Sequence, residues 1–160
     1  MLVFNTNEEV LVDQDFLSQI SQYSWHVSDS GYVVNRSERE GGCKTTIRLH
    51  RFVWELVNGP IPDDMDIDHI NRNRLDNRLE NLRLATRSQN LANSPDRYEN
   101  QTGYRGVARR RNGKYRGYVW KDCKQHWTAT VDTAEEAAQL RDDLAIELHG
   151  EFAVLNFEPR

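Results

Sequence analysis

The sequence predicts an α+β protein built from small antiparallel sheets and short helices, with two or three small hydrophobic cores instead of one large core. Only 38% of the 160 residues are hydrophobic, and the mean hydropathy is −0.81. Several segments alternate polar and apolar residues, as half-buried strands do. Four tryptophans and six tyrosines are too many aromatic residues for a disordered chain.

The sequence of residues 1–49 predicts short strands and turns, including a turn at Asp-Ser-Gly 29–31. A helix is predicted to follow this segment. The stretch KTTIRLH is rich in β-branched residues and leads into LHRFVWELVN. Four apolar residues of this second stretch recur at helical spacing: Leu49, Phe52, Val53 and Leu56. The Asn-Gly-Pro run at 58–60 is expected to end the helix.

Residues 60–94 predict a strand, a long loop, a second strand and a helix. MDIDH (65–69) alternates as a strand, and NLRLA (81–85) alternates as its antiparallel partner. Thr86 is expected to cap the helix, with Gln89 completing a capping box. The polar segment that follows, 95–102, is predicted to be a linker.

Residues 103–160 predict a second domain, a three-stranded sheet packed on one helix. GYRGVARR, KYRGYVWK and QHWTATV alternate as aromatic-rich strands, and Asn112-Gly113 marks the first turn. Thr133 is expected to cap a helix that ends at Gly150. The apolar stripe of that helix consists mainly of alanines, which would let it lie close to the sheet: Ala134, Ala137, Ala138, Leu144, Ala145 and Leu148.

The charge is unevenly distributed, although the whole chain carries only −4. Residues 97–127 contain nine basic and two acidic residues, a local net charge of +7. Residues 132–151 contain seven acidic residues and one arginine. This uneven charge distribution predicts that one face of the protein binds a polyanion while another face stays exposed to solvent.

Other classes of protein are disfavoured by the sequence. Cys43 and Cys123 are the two cysteines, without metal or disulfide spacing, which fits a reduced intracellular protein. The first residues, MLVFNTNEEV, do not read as a signal peptide, and no apolar run approaches a membrane span. We therefore expect a soluble, cytoplasmic protein without a membrane partner.

The segment around Asp68 and His69 has two interpretations. It could be a polar surface hairpin, since asparagine side chains favour turns through local hydrogen bonds. Alternatively, a ββα hairpin could bring Asp68 near Asn90 at the start of the next helix, so that both bind one divalent cation. A single carboxylate and an amide suit Mg²⁺, which keeps water and phosphate ligands. His69 could then accept a proton from an attacking water.

LHRFVWELVNGPIP followed by DIDHINRNRLDNRLENLRLATRSQN resembles the HNH endonucleases of the phage- and intron-associated homing type, over residues 49–94. The resemblance implies that His69 is the general base and that Asn81 holds it in place through hydrogen bonds. It also implies that Asp68 and Asn90 bind one metal. Many relatives have His at the third position, so Asn90 makes this an H-N-N variant, which favours Mg²⁺ or Mn²⁺ over Zn²⁺. His50 matches a recurrent family position, although a packing role against the hairpin at the start of the helix is expected of it, and Arg51 could bind a phosphate near the cut as an auxiliary residue.

The segment from Gly103 to Phe157 resembles AP2-type DNA-binding domains in YRGV, GKY, TAEEAA and the closing LNF. The resemblance implies that Arg105, Arg110 and Trp127 contact DNA. Other family contact positions hold different residues here, namely Ala108, Asn112, Tyr118 and Trp120, so a base preference is not implied. Phosphate binding is expected of the remaining basic residues on the sheet: Arg109, Arg111, Arg116 and Lys121.

Together these observations predict a metal-dependent, site-specific DNA endonuclease of the homing type, encoded by a phage or a bacterium. Residues 1–94 would form the nuclease domain, with a β-rich part at 1–48 and a ββα-metal core at about 49–94, and 103–160 an AP2-like domain. Double-stranded DNA would be the partner of a monomer or homodimer, with one Mg²⁺ or Mn²⁺ per active site. Four arginines near the cut are also expected to bind DNA: Arg72, Arg74, Arg78 and Arg87. The alternative is a DNA-binding regulator that keeps the nuclease frame without catalysis.

Overall fold

The computed structural model describes residues 9–38, 44–94 and 101–157, and the chain divides into two compact units, Met1–Thr86 and Arg87–Arg160. The helix after Thr86 therefore groups with the second unit, whereas the sequence predicts a boundary at 95–102. Most of that predicted linker, and Cys43, lie outside the described residues. No helix within these ranges is both long and apolar enough to cross a membrane.

The first unit begins with short elements, as the sequence predicts. A 3₁₀ turn at Gln14–Phe16 leads into helix α1 (Leu17–Ile20). Strands β1 (His26–Val27), β2 (Val33–Glu38) and β3 (Lys44–Arg48) form an antiparallel sheet in the order β1-β2-β3. The turn between β1 and β2 closes with the Gly31 amide donating to the Ser28 carbonyl at 2.7 Å, with φ of 77° at Gly31.

Helix α2 (Leu49–Asn58) follows β3 directly and ends where the sequence predicts. Gly59, at φ 78°, donates its amide to the Glu55 carbonyl and ends the helix. Strands β4 (Met65–His69) and β5 (Leu82–Thr86) then form a two-stranded antiparallel sheet, with a 3₁₀ turn at Leu79–Asn81 before β5. In this register Asp68 lies opposite Arg83 and His69 lies opposite Leu82.

A single hydrophobic core joins the N-terminal sheet to the hairpin. Its buried residues come from both parts: Ile20, Trp25, Val33, Leu49, Val53, Ile67 and Leu82. The Trp25 indole N–H donates to the Ile20 carbonyl at 2.9 Å, so its polar atom is satisfied in the core. Each fully buried aliphatic side chain contributes about 1.5–3 kcal/mol, so the N-terminal segment is part of the hairpin's stability.

The second unit contains the predicted three-stranded sheet and its helix. Helix α3 (Arg87–Ala92) comes first, followed by strands β6 (Val107–Arg109), β7 (Tyr115–Lys121) and β8 (Lys124–Val131), which pair antiparallel in that order. Helix α4 (Ala134–His149) packs on β7 and β8, and a 3₁₀ turn at Gly150–Phe152 follows. The Thr133 hydroxyl accepts the Glu136 amide at 3.2 Å and caps α4 as predicted.

The alanine face of α4 lies very close to β7, and Gly117 makes this possible. A Cβ atom at Gly117 would lie 2.7 Å from the Arg141 Cβ and 2.8 Å from the Ala137 carbonyl oxygen. Ala137, Ala138 and Ala145 are buried as the sequence predicts. The expected apolar stripe is incomplete, however, because Arg141 and Asp142 are also buried on this helix.

Asp142 therefore corrects the prediction that the acidic block stays in solvent. One of its oxygens accepts from the Arg141 guanidinium at 3.0 Å, and the carboxylate also accepts from the backbone amides of Asn156 and Phe157 at 2.7 and 3.0 Å. The Asn156 side chain then bonds both backbone groups of Arg105. This network fixes the segment after α4 against the start of β6.

Candidate active site

Asp68 and His69 end strand β4 and are both 5% exposed. Alternation along the strand puts His69 on the same face as the core residue Ile67 and Asp68 on the other face. The structure thus excludes a solvated surface hairpin for this pair. Two adjacent buried ionisable groups require specific partners, which the neighbouring strand and loop provide.

The partner of Asp68 is Arg83, which lies directly across the hairpin. The Arg83 Nε donates to Asp68 Oδ2 at 3.0 Å, and its terminal nitrogen lies 3.0 Å from the same oxygen. The two side chains are 6% and 14% exposed, so this is a largely desolvated charge pair. The guanidinium compensates the carboxylate at the position where the sequence predicts a metal ligand.

His69 contacts the buried side chain of Asn77 through a long hydrogen bond of 3.5 Å between Nε2 and Oδ1. The Asn77 amide nitrogen donates to the Arg74 carbonyl at 3.3 Å, which turns its oxygen toward the histidine. This contact places Nε2 of His69 beside the amide oxygen of Asn77. Burial lowers the pKa of His69, while the bond to Asn77 and the charge of Asp68 act in the opposite direction.

His50, on the first turn of α2, packs edge-on against His69 with ring centroids 4.9 Å apart. It is 4% exposed, and its Nδ1 has no hydrogen-bond partner among the described residues. Burial, followed by the charges of His69 and nearby arginines, lowers the pKa of His50 well below its ordinary value. His50 is therefore a neutral ring that supports the side of His69.

Asn81 stabilises the loop between β4 and β5 through hydrogen bonds to other residues of that loop. Its side-chain oxygen accepts the Asn71 amide at 2.9 Å, and its side-chain nitrogen donates to the Asp76 carbonyl at 2.8 Å and to Asn71 Oδ1 at 3.0 Å. Its carbonyl accepts the Ile70 amide at 2.9 Å. These four bonds fix the residues that follow His69.

Asp76 is a second residue that stabilises this loop, and the sequence alone did not indicate it. It is 1% exposed and accepts two bonds from the Arg78 guanidinium and one from the Asn71 side chain, each 2.8 Å long. The hydrogen bond from Arg78 is the main reason that the pKa of Asp76 is lowered. The LDNR run at 75–78 contains this ion pair, but only the folded loop shows that the carboxylate is buried.

The N-terminal segment holds the same loop through its backbone. The Leu11 amide donates to the Leu75 carbonyl at 2.9 Å, and the Asn77 amide donates to the Leu11 carbonyl at 2.8 Å. Asp13 Oδ2 accepts the Leu79 amide at 2.7 Å. Residues 11–13 thus act as an external strap on the loop that positions Asn77.

The other predicted arginines of this region have different surroundings. Arg72 is exposed and has a positive φ of 65°, whereas Arg78 is ion-paired to Asp76 and Glu80. Arg51 lies 3.7 Å from Asp66. Arg74 is exposed and contacts an aromatic ring, as described below.

Asn90 and Arg87 stand on α3, and the structure assigns this helix to the second unit. Arg87 is exposed, and the Asn90 carbonyl accepts the Ser94 hydroxyl at 3.2 Å. Among the described residues, no three His, Cys, Asp or Glu side chains cluster as a metal cage. Asp68 and Asn90 belong to different units, and their joint binding of a metal stays a prediction.

The sheet of the second unit presents an aromatic and basic face away from α4. Trp120 and Trp127 are 58% and 37% exposed, and Tyr118 packs on Trp127 with centroids 5.3 Å apart. The Arg116 guanidinium lies 5.0 Å from the Trp127 ring and donates Nε to the Thr128 carbonyl. Lys121 is half-buried. The basic residues at the end of β6 and in the following turn are exposed: Arg109, Arg110 and Arg111.

Arg105 has intramolecular partners in the second unit. Its guanidinium donates to the Ser94 carbonyl at 2.7 Å and to the Ala92 carbonyl at 3.2 Å. Both acceptors lie at the C-terminal end of α3, where carbonyl groups are otherwise unpaired. The structure therefore shows a structural use for Arg105, and its predicted contact with DNA stays a prediction.

The sequence is similar to those of known proteins. Residues 48–92, which span α2, the hairpin and α3, match the HNH endonuclease family. The chain is 36% identical over 138 residues to an uncharacterized HNH endonuclease of Acanthamoeba polyphaga mimivirus, covering 86% of this chain and 68% of that protein.

Two phage proteins are also similar. Protein 3.8 of Escherichia phage T7 is 39% identical over 107 residues, which cover 66% of this chain and 88% of that protein. An uncharacterized gene 5.3 protein of Enterobacteria phage T3 is 40% identical over 60 residues, 38% of this chain and 57% of that protein. These three similar proteins come from a mimivirus and two phages. The chain belongs to the HNH endonuclease family.

Proposed function

We propose that this protein is a homing-type DNA endonuclease that hydrolyses a phosphodiester with His69 as the general base. The observation that carries the proposal is the fixed position of His69, between Asn77 on one nitrogen and the His50 ring on its side. A base must be neutral and oriented before its substrate arrives. The lowered pKa of His69 keeps the ring neutral near pH 7.

In the proposed reaction the imidazole of His69 accepts the proton of the attacking water. The resulting hydroxide forms the new oxygen–phosphorus bond as the bond to the 3′ oxygen breaks. Asp68, next along the chain, favours the imidazolium that forms. Asn81 acts as a positioning residue, since its bonds hold the loop that carries Asn77.

A divalent cation completes the proposed reaction, with Asp68 and Asn90 as its protein ligands. When bound, Mg²⁺ or Mn²⁺ supplies positive charge for the phosphate oxygens and the leaving oxygen. The ligand assignment rests on the family resemblance and on the chemistry of these two side chains. Asp68 would exchange part of its interaction with Arg83 for the cation.

The sheet of the second unit is the proposed DNA-binding surface, as the AP2 resemblance implies. Its support is the combination of exposed tryptophans with exposed arginines on one small domain. Arginine side chains recognise phosphate and guanine, and aromatic rings contribute contact area. Trp127, Arg110 and the neighbouring basic residues would hold double-stranded DNA while the first unit cuts it.

A nicking assay tests the proposed function. Full-length protein with Mg²⁺ should convert supercoiled plasmid to open circles, and His69→Ala should reduce the rate by about 10²–10⁴-fold, the usual contribution of a general base. His26→Ala, a half-buried histidine of the same unit, is the matched control and should keep the wild-type rate. Equal nicking by His69→Ala and wild type would contradict the proposed role.

The second candidate is a DNA-binding regulator that keeps the nuclease frame without cutting. The Asp68–Arg83 pair favours it, because a guanidinium occupies an oxygen of the proposed metal ligand. Both candidates predict salt-sensitive DNA binding. Only the endonuclease predicts a nicked product, so DNA binding by a wild type that never nicks would establish the regulator.

A further inference from the structure

Two arginines share one aromatic ring beside the active-site histidines. The Arg74 guanidinium carbon lies 4.4 Å from the centroid of the Tyr32 ring, and that of Arg48 lies 5.4 Å from it. The same ring lies 5.2 Å from the His50 ring and 6.2 Å from the His69 ring. Both guanidinium groups thus lie against the same aromatic ring that lies near His69, the proposed general base.

The residues of this cluster come from distant parts of the first unit. Tyr32 follows the β1–β2 turn, Arg48 ends β3 and precedes α2, and Arg74 lies in the loop of the hairpin. The Arg74 guanidinium donates to the Ser30 carbonyl, and a Cβ atom added at Gly31 would lie 3.8 Å from the Arg74 Cδ. Arg74 is therefore held in place by the N-terminal segment and does not extend freely into solvent.

Neither charge is neutralised by a carboxylate in the described part of the chain. The other arginines around the hairpin have carboxylate partners: Arg51 with Asp66, Arg78 with Asp76 and Glu80, and Arg83 with Asp68. No carboxylate of the described residues lies within ion-pair distance of Arg48 or Arg74. Both arginines act on the same histidine, since each contributes to the lowered pKa of His50.

Two exposed, uncompensated cations at one ring repel each other, and this arrangement is favourable when an anion binds between or beside them. A planar guanidinium held on an aromatic ring presents its N–H groups at a fixed angle, which suits bidentate binding of phosphate oxygens. Such a site next to a proposed general base suits the polyanionic DNA strand whose phosphodiester the deprotonated water attacks.

We propose that Arg48 and Arg74, supported by Tyr32, bind a backbone phosphate of the DNA strand cut at His69. The proposal rests on the proposed endonuclease function and extends it, because it assigns a substrate-binding role to the N-terminal sheet. The two arginines would fix the register of the strand, so their removal weakens binding at the first unit more than it slows the chemical step.

The test uses the full-length chain and four variants: Arg48→Ala, Arg74→Ala, the double variant and Arg36→Ala. Arg36 is an exposed arginine on the same sheet and is the matched control. Nicking of supercoiled plasmid with Mg²⁺ is measured at subsaturating and saturating protein. The double variant should nick at least about tenfold more slowly when subsaturating and recover most of the rate at saturation, as expected when a charge-assisted hydrogen bond to the substrate is removed. Arg36→Ala should match the wild type.

A salt series gives a readout that a folding defect would not produce. Binding of a short labelled duplex is measured without divalent cations, and the slope of log K against log salt should become shallower by about 0.9 in the double variant, because one phosphate fewer is neutralised. A double variant that matches Arg36→Ala in slope and in nicking overturns the proposal. A wild type that never nicks refutes the endonuclease function instead, while the salt slope still decides the phosphate site.

Inorganic phosphate separates a DNA site from a site for small anions. Millimolar phosphate should compete only weakly with the duplex, because a single free anion lacks the neighbouring contacts of a strand. If phosphate stabilises the wild type against heat but not the double variant, while both bind DNA equally, the cluster is a small-anion site and the assignment to DNA is wrong.

Discussion

At the scale of single residues, the candidate active site is distinguished by the hydrogen-bond partners of its buried polar side chains. Asp68 has Arg83, His69 has Asn77 and Asp76 has Arg78, so each of these buried side chains has a polar partner. His50 is the exception, since its buried Nδ1 has no partner in the described part of the chain. A neutral imidazole without a counter-charge makes the folded state sensitive to acid.

We expect His50 to destabilise the folded protein as the pH falls below 6.5. Its folded pKa lies well below the ordinary 6.5, so both states are neutral above that pH and the unfolded chain takes up the proton first below it. The free energy of unfolding should therefore decrease by at most about 1.4 kcal/mol per pH unit for this group. His69 and His149, whose pKa values are also lowered, add to the slope.

Urea unfolding at a series of pH values between about 7 and about 5, above the range where carboxylates protonate, measures this effect. The variant His50→Phe should have a shallower slope than the wild type, because the phenyl ring keeps the packing and binds no proton. His26→Phe provides the control at a half-buried histidine. An identical slope in His50→Phe and wild type would show that His50 does not titrate on unfolding.

At the scale of elements, the β6–β7 and β7–β8 turns differ in how well their residues suit positive φ angles. Asn112-Gly113 places glycine at φ 82°, where it carries no steric penalty. Asp122 and Cys123 join β7 to β8 with φ values of 49° and 61°, although neither is glycine. The facing pair that closes this turn, Lys121 and Lys124, carries like charges. The β7–β8 turn is therefore the weaker of the two.

Replacing Asp122-Cys123 by Asn-Gly should stabilise the second unit by about 0.5–1 kcal/mol, because this pair is preferred where both central residues of a two-residue turn have positive φ. The midpoint of urea unfolding measures the change. The opposite substitution, Gly113→Ala, should lower the midpoint, since alanine disfavours its positive φ. A lower midpoint for the Asn-Gly variant would refute the expected relief of strain.

The elements themselves could largely be predicted from the sequence, because their signals are local. Alternation located β4 and β5, and Gly59, Thr133 and Gly150 marked helix ends where the structure has them. The ion pair between Asp68 and Arg83 could not be predicted from the sequence, because it depends on a strand register that no local pattern fixes. Tyr32 was missed for the same reason, because it meets Arg74 only through the folded core.

At the scale of the whole molecule, each unit has its own hydrophobic core. The first contains Trp25 and Val53, and the second is a small cluster around Val107 and two alanines of α4. So small an apolar core makes the second unit depend on its buried polar network. Asp142 is the centre of that network, with bonds to Arg141, Asn156 and Phe157.

We expect Asp142→Ala to destabilise the second unit by about 3–5 kcal/mol, because it leaves the Arg141 charge buried and unpaired. Calorimetry of the full chain should show two transitions, of which only one moves to lower temperature in the variant. Asp143→Ala, an exposed neighbour, should leave both unchanged. A shift of both transitions in Asp142→Ala would show that the two cores unfold together.

The strap formed by residues 11–13 has a consequence for protein engineering. Leu11 bonds the backbone on both sides of Asp76, so the loop length between His69 and Asn81 is matched to a segment far earlier in the chain. A portable nuclease module that begins at α2 would keep every motif residue and lack the strap, the Tyr32 ring and much of the core. Any fusion or domain graft built from this protein must therefore start before Leu11, and insertions should be placed away from the strapped loop.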